Sequence, residues 1–508
     1  MTLLTDHSKK WLAFIGIALL SFGCYLDYTV VNIALPTIQQ DLQTDLLSLQ
    51  WIMNIYFLAL CVFAAIMGQL GDLFGRRRCF YLGISIFGIA SLIAGFAFQI
   101  EWLIFGRLLQ GLGAAIVLPL GPSLLPQSFP ENERAKSIAW LGSVGGMALA
   151  LGPVLGGIIV TYWGWRWIFF INIPIIIVGY LFCLNSVKES PISHETVKLD
   201  WFGMLFLALT MGGIVLSLIH SQTYGWNNRM TLIYLIVGIA SFFILFKIEN
   251  KLESPLIDFK DFTQLLFFGG AILCFLSGVL SAVALFFDPL YLQIIRSFSP
   301  ETAGYILFAI PIAVVLVAFL VGQLIFLFGI INTIVIGLFL GVISALLHAF
   351  FIVASPLWYV VIAFLCLGST WAMGNTVSLI AGQTAAGSHR ASVATGTIVT
   401  MFNIGGSIGL AISVVVYQWA TSTSLQHIFM KRSGLTDHHQ FDYLTKLIAN
   451  PSHSLTESMN SSLRHLFNEI FMQGFSSVMW FLFIITIISL VSVLVWKIYD
   501  HFISNPLW

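Results

Sequence analysis

Residues 68–78 read GQLGDLFGRRR, an aspartate and three arginines spaced by glycines between two long apolar runs. Only 9% of the 508 residues are charged and 58% are hydrophobic, so this concentration of charge needs a reason. A soluble chain of this length would carry far more charge on its surface. The runs beside it, and others such as YLGISIFGIASLIAGFAF (81–98) and VMWFLFIITIISLVSVLVW (478–496), reach the roughly 20 residues needed to cross a hydrocarbon core. They recur from one end of the chain to the other. The stretch 68–78 therefore reads as a short loop between two membrane helices. Gly75 supplies a sharp turn, Asp72 sits at the mouth to pair with an arginine or a helix amino terminus, and the next helix starts after Arg78.

The same reading extends to fourteen helices: 11–33, 48–69, 79–98, 102–124, 136–160, 166–186, 201–220, 230–248, 264–294, 302–321, 325–348, 354–380, 391–420 and 474–497. A closed barrel would show short alternating segments instead. The first run follows Lys9 and Lys10 as a signal peptide would, but it is too long for one and lacks a small-residue cleavage site. With the amino terminus inside, fourteen Lys and Arg fall in inner segments and three (Arg166, Arg229, Arg296) in short outer loops. Both termini are then expected in the cytoplasm. Polar stretches after helices six and eight divide the chain into a six-helix bundle (1–186), an inserted hairpin with its linkers (187–263) and a second six-helix bundle (264–508). The last contains a long outer loop, 421–473, with an amphipathic helix expected near 461–472.

Three intramembrane charges stand out, because such residues are costly and usually face a cavity or partner. Asp27, in CYLDYTVVNIALP, reads as a protonation or cation-recognition site, or as a packing carboxyl held by hydroxyls. Arg107, in IFGRLLQGLGAAIVLPL, cannot discharge and needs a partner. It reads as an element that modulates a nearby carboxyl, or as an intrahelical clamp with Gln110 one turn away. Asp288, in ALFFDPLYLQ, is a second proton or substrate carboxyl, or an interface residue. In GGMALALGPVLGG, Gly152 and Pro153 with Gly156 and Gly157 make a kinked, closely packed helix suited to a gating interface.

These motifs together resemble the major facilitator superfamily, in its fourteen-helix drug:proton antiporter branch. GQLGDLFGRRR is similar to the loop 2–3 signature, LDYTVVNIALP to the first-helix signature, FGRLLQGLGAA to the fourth-helix arginine motif and LGPVLGG to the fifth-helix antiporter motif. WRWIFFINIP and SPETAGY also match. The resemblance implies two six-helix bundles with an inserted helix pair. It implies an inner gate latch at Gly68, Asp72, Gly75, Arg76 and Arg77. It implies coupling and substrate-site roles for Asp27 and Arg107, and an antiporter hinge at Gly152, Pro153, Gly156 and Gly157. Leu73 stands where the loop motif has a basic residue, and Ala148 replaces a glycine. The second-half loop GQLIFLFG (322–329) has lost its charges, so a charged latch is expected in the first half alone.

No nucleotide-binding loop or nucleophile–base set is present, and the six cysteines read as small buried hydrophobes. His427, His438, His439, His453 and His465 lack metal-ligand spacing. The expected function is a proton-coupled exporter of amphipathic, cationic small molecules in the inner membrane, powered by the proton gradient without a cofactor. Lipid, substrate and protons are its partners, with a periplasmic adaptor where a second membrane exists and no nucleic acid. The competing readings are a dedicated exporter of one metabolite (a siderophore, peptide or organic acid) and a receptor on the same scaffold that moves nothing.

Overall fold

The structure is a computed structural model that describes residues 6–130, 133–184, 186–187, 200–252, 255, 257–387, 391–431 and 461–504. Its regular elements are helical: α1 Asp6–Asp41, α2 Leu46–Phe74, α3 Arg76–Gly95, α4 Ile100–Leu124, α5 Arg134–Trp163, α6 Trp167–Phe170, α7 Asn172–Leu184, α8 Trp201–Tyr224, α9 Arg229–Glu249, α10 Leu265–Leu290, α11 Pro300–Leu307, α12 Ala309–Phe328, α13 Ile330–Ala349, α14 Leu357–Ala386, α15 Ala391–Lys431 and α16 Ser461–Ser504. α6 and α7 form one span, α11 and α12 another, and α10 runs on through a π-helical turn, Tyr291–Ile295. Among the described residues fourteen spans result, each long and apolar enough to cross a bilayer. The expected all-helical, fourteen-span architecture is therefore present.

Successive spans alternate between two faces: the terminal face, where α1 begins, and the distal face opposite. α1 packs on α5 and α7, and α4 on α2 and α3. In the second half α10 packs on α14 and α15, while α13 and α15 flank α16. The α8–α9 hairpin docks through α8 against α2 and α15. α9 turns large apolar side chains outward, with Ile236 63% and Phe243 60% exposed, as a lipid-facing helix does. α10 is the opposite case: from Leu276 to Ile295 every residue is buried, so it forms the centre of its half.

Several boundaries differ from the expectation. α1 continues through Pro36 to Asp41, because its last turns are sheltered by protein. α3 starts at Arg76, not after Arg78: Gly75 alone makes the break, at φ 96°. The second-half counterpart breaks at Gly329, φ 78°, so α12 runs to Phe328 instead of stopping near 321. Both glycines hold a backbone conformation that side chains resist. The two loops thus keep the same hinge although only one keeps its charges. At the distal face α15 extends to Lys431, and α16 begins at Ser461 as one helix through to Ser504, so the flanks of the expected loop 421–473 are helical. Residues His438, His439 and His453 lie outside the described residues.

Among the described residues, three hydrogen bonds tie the halves at the distal face. Gln293 Nε2 donates to the Ile33 carbonyl at 2.9 Å, the Glu301 amide to Thr161 Oγ1 at 3.2 Å, and the Tyr162 hydroxyl to Glu301 at 3.3 Å.

Candidate functional site

Asp27 lies midway along α1 and Arg107 in the first half of α4; both are 0% exposed. An unpaired charge in such a place costs far more than a paired one. The structure pairs them: Arg107 Nη1 donates to Asp27 Oδ2 and, at 2.9 Å, to Gln110 Oε1. Gln110 Nε2 in turn donates to Asp27 Oδ1 at 3.0 Å. The one-turn spacing of Arg107 and Gln110 on α4 lets both reach the same carboxylate. Sequence analysis thus brings together three residues that are in contact.

Four partners were not legible. Asn172, the first residue of α7, donates to Asp27 Oδ1 at 3.2 Å. Ser91 of α3 accepts from Gln110 at 2.9 Å and from Asn172 at 3.3 Å. Arg107 Nε donates to the Ile52 carbonyl of α2 at 3.2 Å, and its guanidinium sits 4.3 Å from the centre of the Tyr56 ring. The site therefore draws on α1, α2, α3, α4 and α7. The signal for Asn172 was present, as the amide inside the apolar WRWIFFINIP, but nothing in the spacing said which way it pointed.

Tyr28, beside Asp27 in the chain, carries the site to the interface between halves. Its ring lies 5.3 Å from Phe57 and 6.2 Å from Trp371 of α14, and Trp371 stacks on Phe402 of α15 at 6.3 Å. Gln50 and Asn54, one turn apart on α2, are fully buried, and their amide groups find no hydrogen-bond partner among the described residues. Buried amides of this kind normally have partners.

The motif in α5 interlocks two neighbours. Pro153 lacks an N–H, so the Leu149 carbonyl loses its helical donor. Thr29 Oγ1 of α1 lies 3.3 Å from it. A Cβ on Gly152 would run into that hydroxyl, and one on Gly156 would meet Ile33 Cγ2 at 2.5 Å. Gly157 faces the other way: a Cβ there would meet the Pro300 carbonyl of α11 at 2.5 Å. This single turn therefore presses on α1 with one face and on the second half with the other.

At the terminal face, Arg76 Nη1 donates to the Ser123 carbonyl of α4 at 3.4 Å, and Arg77 Nη2 to the Leu184 carbonyl of α7 at 2.8 Å. Both carbonyls lie in last turns, where such groups lack helical donors and favour cations. The surroundings of Gly68 and of the Asp72 side chain lie outside the described residues, and so does the expected aspartate–arginine latch. Asp288 does not join Asp27. It is buried in α10, where its neighbour is His348 of α13.

Comparison with known proteins agrees with this architecture. The family description Major Facilitator Superfamily matches residues 17–410. The chain is 30% identical over 427 residues to the multidrug resistance protein Stp of Mycobacterium tuberculosis, covering 83% of this chain and 79% of that one. It is 30% identical over 411 residues to the tetracenomycin C resistance and export protein of Streptomyces glaucescens, covering 80% and 76%. Among solved structures it resembles a bacterial homolog of the human lysosomal transporter Spinster in an inward-facing, unoccupied conformation, with a TM-score of 0.61, 17% identity and coverage of 96% and 97%. The chain belongs to the major facilitator superfamily, as a multi-pass membrane transporter and not an enzyme.

Proposed function

We propose that the chain is a proton-coupled exporter of amphipathic, cationic small molecules, with Asp27 as the coupling carboxyl. The observation that carries this reading is the dry Asp27–Arg107 pair. As a carboxylate, Asp27 balances Arg107 and accepts from Gln110 and Asn172. A proton on Asp27 cancels that balance and frees Arg107 to act on whatever shares the interface. A cationic substrate and a proton then compete for one negative charge, which is the physical basis of exchange.

The aromatic cluster of Tyr28, Phe57, Trp371 and Phe402 offers the substrate an apolar surface beside that charge, and the amides of Gln50 and Asn54 offer it hydrogen bonds. Gly152, Pro153, Gly156 and Gly157 act as the hinge, since α5 touches both α1 and α11. The basic residues at the terminal face support a cytoplasmic assignment for it, and on that reading the distal contacts close the outer side. Alternation between the two states carries substrate out.

Transport into inside-out membrane vesicles under an imposed pH gradient tests this, with a panel of cationic dyes as substrates. Dye accumulation that collapses with the gradient and disappears in Asp27→Asn is the expected result. Accumulation in Asp27→Asn equal to the unchanged chain overturns it.

A further inference from the structure

We propose that Asp288 and His348 form a second proton-binding site, in the other half of the molecule, that holds one proton between them. The inference stands on its own geometry and does not depend on the Asp27 reading.

Both side chains are buried, Asp288 at 0% and His348 at 2% exposure. His348 Nδ1 lies 2.7 Å from the Ser344 carbonyl one turn earlier in α13. A carbonyl only accepts, so Nδ1 carries a hydrogen. In a neutral ring Nε2 is then a bare acceptor. Nε2 lies 3.6 Å from Asp288 Oδ2, and neither Asp288 oxygen has a hydrogen-bond partner among the described residues. A carboxylate facing a bare imidazole nitrogen would leave two acceptors opposed and one negative charge uncompensated in a dry interior. One proton resolves both faults. On Nε2 it gives an imidazolium–carboxylate pair; on Oδ2 it gives a carboxylic acid donating to Nε2. Either way the pair is neutral and shares one proton.

Among the described residues, no other charged group makes an ion pair or hydrogen bond with the Asp288 carboxyl or with His348 Nε2. The charged and titratable groups on the elements packed around the pair include Tyr291 and Arg296 after α10, Tyr359 of α14, Tyr417 of α15, and Glu469 and Arg464 of α16, where Arg464 Nη2 donates to Ser297 Oγ at 2.9 Å; α15 and α16 also carry His427, His465 and Lys497. The Tyr291 hydroxyl donates to the Ile352 carbonyl at 2.8 Å and that of Tyr359 to the Leu347 carbonyl at 2.9 Å. Arg296 donates to the Ser355 carbonyl at 2.5 Å. The Tyr417 ring packs 5.4 Å from that of Phe287.

Access comes from the distal face. Phe351 stacks on the His348 ring at 4.8 Å and also lines a cleft of about 520 Å³ with Ser424, Glu469, Gln473 and Ser476. Phe351 thus touches both the His348 ring and the cleft, and Glu469 is a carboxylate on the cleft wall.

The test uses the purified full chain in detergent and the hydrogen ion itself as probe. Proton uptake is counted in weakly buffered solution as it is taken from mildly alkaline to mildly acidic. Asp288→Asn, His348→Gln and the double variant should each take up one proton fewer than the unchanged chain, and the three should agree. Uptake by Asp288→Asn equal to the unchanged chain, or a loss of two protons in the double variant, overturns the shared site. If Asp288→Asn is not monodisperse, the count for His348→Gln decides alone. In the infrared carboxyl and imidazole regions, a pH-dependent band absent from Asp288→Asn should persist in Asp27→Asn, which separates this site from the first. Phe351→Ala should speed uptake after a pH jump without changing the count, and an unchanged rate overturns the distal route.

Discussion

The Thr29 hydroxyl of α1 lies 3.3 Å from the Leu149 carbonyl of α5, the group that Pro153 deprives of its helical donor. It also lies 3.4 Å from the Leu26 carbonyl in its own helix, so one hydrogen is shared between them. The proline opens a gap in α5, and a residue one helix away fills it. The bend in α5 and its attachment to α1 are therefore one feature.

Thr29→Val keeps the shape and removes the donor. A buried acceptor left unmet costs about 1–3 kcal/mol, and thermal unfolding in detergent should show a loss of that order. Gly152→Ala attacks the same contact from the other side, because its methyl overlaps the Thr29 side chain. Overpacking typically costs about 1–3 kcal/mol. Gly152→Ala combined with Thr29→Ala should recover part of that loss, since the hydroxyl in the way is gone. Additive losses in the double variant would show that the two residues do not share a contact.

Asp27 and Arg107 should behave as a pair in stability as well as in transport. Removing one member of a buried pair strands the other, at about 3–5 kcal/mol. Asp27→Asn and Arg107→Gln should each lower the unfolding midpoint clearly, and the double variant should lower it less than either alone. It should still carry out no pH-driven dye accumulation. A double variant less stable than both singles would contradict the pairing energetics.

Gly75 and Gly329 adopt φ 96° and 78° at equivalent places in the two halves. Forcing a side chain into such a conformation costs of order 1–3 kcal/mol. Gly75→Ala and Gly329→Ala should therefore destabilise the protein by similar amounts, measured by thermal unfolding. Only Gly75 is followed at once by the arginines that hold the ends of α4 and α7. Gly75→Ala should accordingly reduce dye transport more than Gly329→Ala does.

The sequence made the spans legible because each is an unbroken apolar run, and the run length is set by the bilayer. Its errors fall where that constraint stops. α1 overshoots to Asp41 and α15 to Lys431, because protein contacts at the distal face extend helices beyond any membrane, whereas the helix expected near 461–472 is present as the first turns of α16. Asp27, Arg107 and Gln110 were legible since charges and amides inside apolar runs are conspicuous. Ser91, Asn172 and Tyr56 were not, because serine, a single amide and an aromatic are common in membrane helices and only the packing of α3, α7 and α2 aims them at one carboxylate. His348 was hidden for a different reason. It lies sixty residues from Asp288, at the end of an apolar helix, where a histidine usually faces headgroup water.

Glu301 offers a way to shift the balance between the two faces. Its carboxylate accepts from Tyr162 at 3.3 Å across the halves and from Tyr305 at 3.2 Å within α11, while its amide donates to Thr161. The Tyr162 bond and the exposed amide contact both cross between the halves at the distal face. Glu301→Ala removes the first, so it should leave overall stability nearly unchanged while weakening that closure. A loss of about 1 kcal/mol between two conformations changes their ratio roughly fivefold. Hydrogen–deuterium exchange at residues 157–163 and 299–307 should accelerate by about that factor, with exchange elsewhere in α5 and α12 unaffected. Uniform acceleration along the whole chain would mean general destabilisation instead. Unaltered exchange at the distal segments would mean that the backbone contacts of Gly157 and Gly304, not the carboxylate, hold that face shut.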